Sequence, residues 1–139
     1  MVQKRVLIVE DEADTRTALR EFLERSGYLP AEAADGLAGL AQAESWHPRA
    51  ILLDVRMPGL DGYEVCRRLK ANPATKSIPV IVMTAFKDDA LNRLAYEAGA
   101  MACILKPFRL EVLLTILQTA IAGAERRAKA IAKREGNPP

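Results

Sequence analysis

Five short apolar runs recur along the chain, each followed by a longer amphipathic stretch, and this alternation constrains the fold more than any other feature. The runs occupy residues 6–9, 28–34, 50–55, 79–83 and 101–105. Each has strand length, and apolar residues at nearly every position mark a strand covered on both faces. The stretches between them carry apolar residues at helical spacing, as Ala18, Leu19, Phe22 and Leu23 do. Helices are predicted at 14–26, 37–45, 61–71 and 87–98, with a last one from about Arg109 onward. Punctuation agrees. Gly27 and Gly99 stop the first and fourth helices, His47-Pro48 and Asn72-Pro73 close the second and third, and Asp35-Gly36 reads as a turn. The second run is the weakest, and Pro30 within it suits an edge strand. Strands alternating with helices build an α/β, doubly wound parallel sheet with right-handed crossovers. In such sheets ligands bind at the carboxyl ends of the strands.

Composition narrows the function classes. Half of the 139 residues are hydrophobic and 27% are charged, a globular balance that excludes wholesale disorder. No apolar run approaches the roughly 20 residues of a membrane-spanning helix, and the run near the N-terminus is too short for a signal-peptide core. A cytoplasmic chain without membrane contact is therefore expected. Cys66 and Cys103 stand far apart without a CxxC pair, which excludes a disulfide framework or a zinc cage. The net charge of +2 is unevenly placed: residues 1–124 carry 15 Lys/Arg against 16 Asp/Glu, and residues 125–139 carry five against two. The basic excess sits in the tail, so the body gives no sign of direct nucleic-acid binding.

The polar residues collect at the strand ends. The first run ends in Glu10-Asp11-Glu12, the third in Asp54, the fourth in Thr84-Ala85, and the fifth in Lys106-Pro107. Clustered carboxylates repel and call for a counter-ion. A hard cation with oxygen ligands meets that need, and Mg²⁺ is the usual one beside a phosphate. Lys106 adds a point positive charge for an anion and Thr84 a hydrogen-bond donor. A carboxylate nucleophile, a metal and a lysine around an anion outline a phosphoryl-transfer site.

In order and at these positions, Glu10-Asp11, Asp54 with Met57-Pro58-Gly59 and Asp61-Gly62, Thr84-Ala85 and Lys106-Pro107-Phe108 resemble the receiver domain of the two-component response-regulator family, the CheY-like domain, over roughly residues 4–122. The resemblance implies a flavodoxin-like sheet of strand order 2-1-3-4-5. It implies a receiver domain over 1–122 and a basic helical extension over 123–139. Asp54 would take a phosphoryl group from a sensor histidine kinase or a histidine phosphotransfer protein. Mg²⁺ would be held by Asp11, Asp54 and the backbone carbonyl of Arg56, with Glu10 acting through water. Lys106, followed by a cis bond to Pro107, would pair with a phosphoryl oxygen, and Thr84 beside the small Ala85 would move to bind another. That movement would change the face made by the fourth helix, fifth strand and fifth helix, through which a homodimer could also form. Such a domain is a switch rather than an enzyme, catalysing only its own phosphoryl transfer and slow autodephosphorylation.

Arg56 and Phe86, each two positions beyond a site residue, are expected to hinder attacking water and prolong the phosphorylated state. Cys103 departs from the family's usual Tyr or Phe three residues before the lysine; a thiol is too small to swing as a ring does. His47, the single histidine, precedes a proline and reads as a helix-end residue. Cys66 reads as packing and Trp46 as a half-buried anchor.

The last helix carries Leu110, Leu114, Leu117, Ile121, Ala124, Ala128 and Ile131 at heptad spacing, a seam for a dimer or an output connection. Leu113, Ile116 and Ala120 form a second stripe for the sheet, and Glu125 and Lys129 an i,i+4 pair. Two enzyme readings fail on residue type. A phosphatase of the haloacid-dehalogenase kind needs an aspartate where Arg56 stands, and a nucleotide-binding loop needs glycines where Glu10-Asp11-Glu12 stand. The remaining alternative is a receiver-like adaptor that works without phosphorylation.

Overall fold

The computed structural model describes residues 4–57, 59–85 and 89–136. Five strands, β1 (Arg5–Val9), β2 (Leu29–Ala33), β3 (Ala50–Asp54), β4 (Val80–Thr84) and β5 (Ala102–Leu105), alternate with five helices, α1 (Ala13–Arg25), α2 (Gly36–Trp46), α3 (Gly62–Ala71), α4 (Asp89–Glu97) and α5 (Leu110–Arg134). The strands form one parallel sheet of order β2-β1-β3-β4-β5. This is the doubly wound, flavodoxin-like architecture expected. β2 lies on an edge, where Pro30 leaves no inner ladder bond unmade.

The unbroken apolar strands are explained by two cores, one on each face. Val6, Ile8, Leu52, Ile81 and Met83 point to one face, where Leu19 and Leu23 of α1 and Leu113 and Leu117 of α5 cover them. Leu7, Val9, Ile51, Leu53 and Val82 point to the other, under Ala43 of α2, Val65 and Leu69 of α3, and Ala95 of α4. Each fully buried aliphatic side chain contributes about 1.5–3 kcal/mol relative to exposure. The central strands β3 and β4 are buried along their whole length, so the sheet is anchored at the point where it carries its polar ends.

Local chemistry sets the helix ends. Gly27, at φ +90°, ends α1 in a conformation that side chains resist. Asp35 is the cap of α2, accepting from the Ala38 N–H at 2.8 Å, so Asp35-Gly36 opens a helix rather than making an isolated turn. Asp61 caps α3 in the same way through the Glu64 N–H at 2.9 Å. A Cβ on Gly62 would collide with the Asp54 carbonyl oxygen and the Val55 Cα, so glycine lets α3 begin directly against the end of β3. His47 ends α2 at φ 52°, a structural helix-end role as expected. Cys66 is buried, and Trp46 packs half-buried on the core of that face.

The long last helix departs from the expected pattern. Leu117 and Ile121, placed in a free seam by their spacing, are buried against the sheet together with Leu113 and Ala120. The reason is geometric: the buried face of a helix covers a wide stripe, and the two predicted stripes are the two margins of one such face. Leu114 of the predicted seam lies outside the core, as does the exposed Val112, and from Ala124 onward no residue of the helix is buried. Glu125 pairs with Arg49 at 3.0 Å and Lys4 at 3.5 Å rather than with Lys129, which ties the helix to the body. α5 is continuous through residues 122 and 123. Among the described residues no helix is long and apolar enough to cross a membrane.

Candidate functional site: an acidic cleft at the carboxyl ends of the strands

Four strand ends deliver the polar groups to one place. The Glu10 N–H donates to the Ala33 carbonyl at 3.0 Å, extending the β1–β2 ladder by one step and turning the Glu10 side chain inward, where it is 1% exposed. Asp11, the next residue, is exposed. Asp54 closes β3 and Thr84 closes β4, 6% and 2% exposed. The Lys106 N–H donates to the Thr84 carbonyl, setting the residue after β5 beside the end of β4, and the Lys106–Pro107 peptide bond is cis. A cleft of about 310 Å³ is lined by Glu10, Asp11, Asp54, Arg56, Thr84 and Lys106, with Ala85 at its rim.

The side chains converge. The Lys106 ammonium donates to Glu10 Oε1 at 2.9 Å and to Asp54 Oδ1 at 3.2 Å. One carboxylate oxygen from each of Glu10, Asp11 and Asp54 lies within 4.8 Å of the others. Burial, then the hydrogen bond and negative charge of Asp54, push the Glu10 carboxyl up to about 7, against the opposing pull of Lys106. Burial works against the Lys106 charge, but Glu10 and Asp54 outweigh it and hold its pKa above the ordinary lysine value. One ammonium therefore offsets only part of the negative charge of a site built around three acids. Three oxygen ligands of a hard type, at the mouth of a cleft, suit a small divalent cation.

The structure gathers Glu10, Asp11, Asp54, Arg56, Thr84, Ala85 and Lys106 around this cleft. Cys103 and Pro107 are not among its lining residues, and Phe86 lies outside the described residues. Cys103, on β5, is half-buried, its thiol 3.2 Å from Asn92 Oδ1 of α4. Burial pushes that thiol's pKa up, which argues against a reactive thiolate. His47 stands at the far end of the sheet, next to where β1 begins.

Arg16 escaped the reading of the sequence. From the first turn of α1 it donates to the carbonyl oxygens of Glu10 at 2.9 Å and Asp11 at 3.4 Å, and it pairs with Glu32 of β2 at 3.3 Å. It holds the acidic loop by its backbone and so aims the carboxylates. The one signal available was a cation in a first helical turn, where the helix dipole disfavours it.

Residues 6–118 match the response regulator receiver domain family. The chain belongs to that family. It is 37% identical over 123 residues to the transcriptional regulatory protein AfsQ1 of Streptomyces coelicolor, covering 88% of this chain and 53% of that protein. It is also 39% identical to PdtaR of Mycobacterium tuberculosis, covering 87% and 58% of the two chains. This receiver chain thus spans about half the length of the curated relatives it matches. In three dimensions it is similar to the chemotaxis protein CheY4 of Vibrio cholerae, with a TM-score of 0.82, 29% identity, and coverage of 86% and 99%. The receiver domain of the sensor histidine kinase PA1611 of Pseudomonas aeruginosa, at TM-score 0.79 and 33% identity over 87% of this chain and 99% of that one, was solved with a magnesium ion coordinated in its active-site cleft. The chain is a receiver domain of two-component response regulators, a signalling module rather than a classical enzyme.

Proposed function

We propose that this receiver domain is a switch thrown by phosphorylation of Asp54. The observation that carries the reading is the convergence of Asp54, Lys106, Thr84 and two further acids in one cleft at the carboxyl ends of β1, β3, β4 and β5. An Asp54 oxygen attacks the phosphorus of a phosphohistidine on a kinase or phosphotransfer partner. The P–N bond breaks, its electron pair leaves with the imidazole, which takes up a proton, and an acyl phosphate remains on Asp54. Lys106, already on Asp54, passes to a phosphoryl oxygen and stabilises the charge that builds up during transfer. The Thr84 hydroxyl offers a donor to another of these oxygens. Asp11 and Asp54, with the Arg56 carbonyl and with Glu10 through water, would hold Mg²⁺, which when bound neutralises the charge between the acids and the incoming phosphoryl group. Arg56 lines the cleft, from where it hinders attacking water. Charge gained at Asp54 then biases the surface of α4, β5 and α5 towards a partner, an output segment or a second copy.

The test is incubation with Mg²⁺ and either acetyl phosphate or beryllofluoride, followed by mass and NMR shift measurements. The wild type is expected to gain one phosphoryl group, and Asp54→Asn none. The phosphorylated half-life is expected to shorten several-fold in Arg56→Asn. Identical behaviour of wild type and Asp54→Asn would leave the chain as an adaptor that works without phosphorylation.

A further inference from the structure

At the end of the sheet opposite the carboxylate cleft, the second half of α5 leaves the core and stands beside the α3–β4 and α4–β5 connections. A groove of about 900 Å³ runs between them. Its surface is largely apolar, with Pro79, Ala100 and Met101 on one side and Ala124, Ala128 and Ile131 on the other. Met101 and Ile131 are 38% and 48% exposed, so this apolar surface is open to water. Its rim is cationic, with Lys70, Lys76 and Arg127 around it and Glu135 as the single acid, at the far end. Among the described residues none of the three cations makes an ion pair. Lys70 is half-buried and donates to the carbonyls of Lys76 and Ile78. Burial, and to a lesser degree the positive charge of Arg127, pull its pKa down, with Cys66 acting the other way. These are cations gathered on an apolar groove without an anion to meet them.

We propose that this groove docks an amphipathic helix with acidic flanks, supplied by a partner protein. From Ala124 to Glu135 the wall of the groove is ~16 Å long, three helical turns. The alanines let a second helix approach closely, as helix-in-groove recognition requires, while Met101 and Ile131 seat its apolar face. Lys76 and Arg127, on opposite walls, meet acids on either flank of that helix. Charge decides against a second copy as occupant. The projecting helix itself carries five cations against two acids over residues 123–136, so laying another copy of it here would set like charges together. A nucleic-acid backbone would leave the apolar floor uncovered. The groove shares no lining residue with the carboxylate cleft.

The experiment uses the full chain and fluorescence polarisation with a labelled 18-residue synthetic helix bearing leucines on one face and glutamates beside them. A counterpart carries lysine in place of each glutamate. The acidic helix is expected to bind about ten-fold more tightly than the basic one, and less tightly as salt rises. The double variant Lys76→Glu, Arg127→Glu is expected to lose about ten-fold, and Ile131→Asp a comparable amount, both with unchanged melting temperatures. Asp54→Asn is expected to bind like the wild type, so a failed phosphotransfer and a failed groove are read separately. Absence of saturable binding, equal binding of the two helices, or binding indifferent to these substitutions overturns the proposal. So does sedimentation showing a dimer that Ile131→Asp dissolves, which would give the groove to a second copy.

Discussion

Glu10 carries a charge that its surroundings barely tolerate. Its carboxyl is almost wholly buried, lies close to Asp54, and is raised to about 7 from an ordinary 4.5. The sign of the consequence follows from linkage. A folded pKa above the unfolded one means that the fold takes up a proton, so the stabilising contribution is complete below about pH 4.5 and is lost as the pH rises through 7. In metal-free protein, Glu10→Gln removes this dependence. Melting temperatures measured from pH 5 to 8 should show the wild type falling relative to Glu10→Gln, with most of the fall between 5 and 7 and little above it; parallel curves would contradict it. Glu10 also marks where residue-level reading stops. An acidic pair after the first strand was visible, and so was its chemistry. Which acid turns inward was not, because that depends on the bond from the Glu10 N–H to Ala33 across the sheet. Arg16 was missed for the same reason, since it acts through backbone carbonyls that carry no sequence signature.

At the scale of elements, α5 is two helices in one. Leu113, Leu117, Ala120 and Ile121 cover the sheet, while residues beyond Ala124 stand clear of it. Leu117→Ala should cost about 2–5 kcal/mol, as cavities in cores do. Ile131→Ala, at a half-exposed position, should cost less than about 0.5 kcal/mol. Urea melts of the two variants check the division, and equal losses would mean that the projecting half is packed after all. Spacing predicted the helix but misassigned its faces, because a heptad seam and the margins of a wide buried stripe look alike over three turns. The strands were legible for the opposite reason. Burial on both faces makes the inner strands β1, β3 and β4 almost wholly apolar, at a length too short for a helix. Asp35 was seen as a turn residue and is a cap, a distinction settled by which N–H its side chain meets.

For the whole molecule, the sheet separates two ends of unlike chemistry, an acidic cleft at the carboxyl ends of the strands and a basic, apolar groove at the amino ends. The first was readable because strand order and strand-end residues together locate it. The second was not, because its walls come from two connections and a helix that only tertiary structure brings together. A ligand that binds the folded state alone raises global stability, by about 2.7 kcal/mol at 100 times its Kd. Urea midpoints should therefore rise with added Mg²⁺ and return to baseline with chelator. The rise should be largely lost in Asp54→Asn; an equal rise there would place the cation elsewhere. One dimension of α5 has a mechanical consequence. Its 25 residues make a beam of ~37 Å, beginning four residues after Lys106 and clamped to the sheet over its first half. From Ile121 to Arg134 about 20 Å projects beyond the clamp. Rocking the clamp by ~10° swings the free tip by ~3.4 Å on that length. About a pivot at Ile121 the two arms are nearly equal, ~16 Å back to Leu110 against ~20 Å out to Arg134, so a displacement of the end beside the cleft reappears at nearly the same size, and in the opposite sense, at the opposite pole of the molecule.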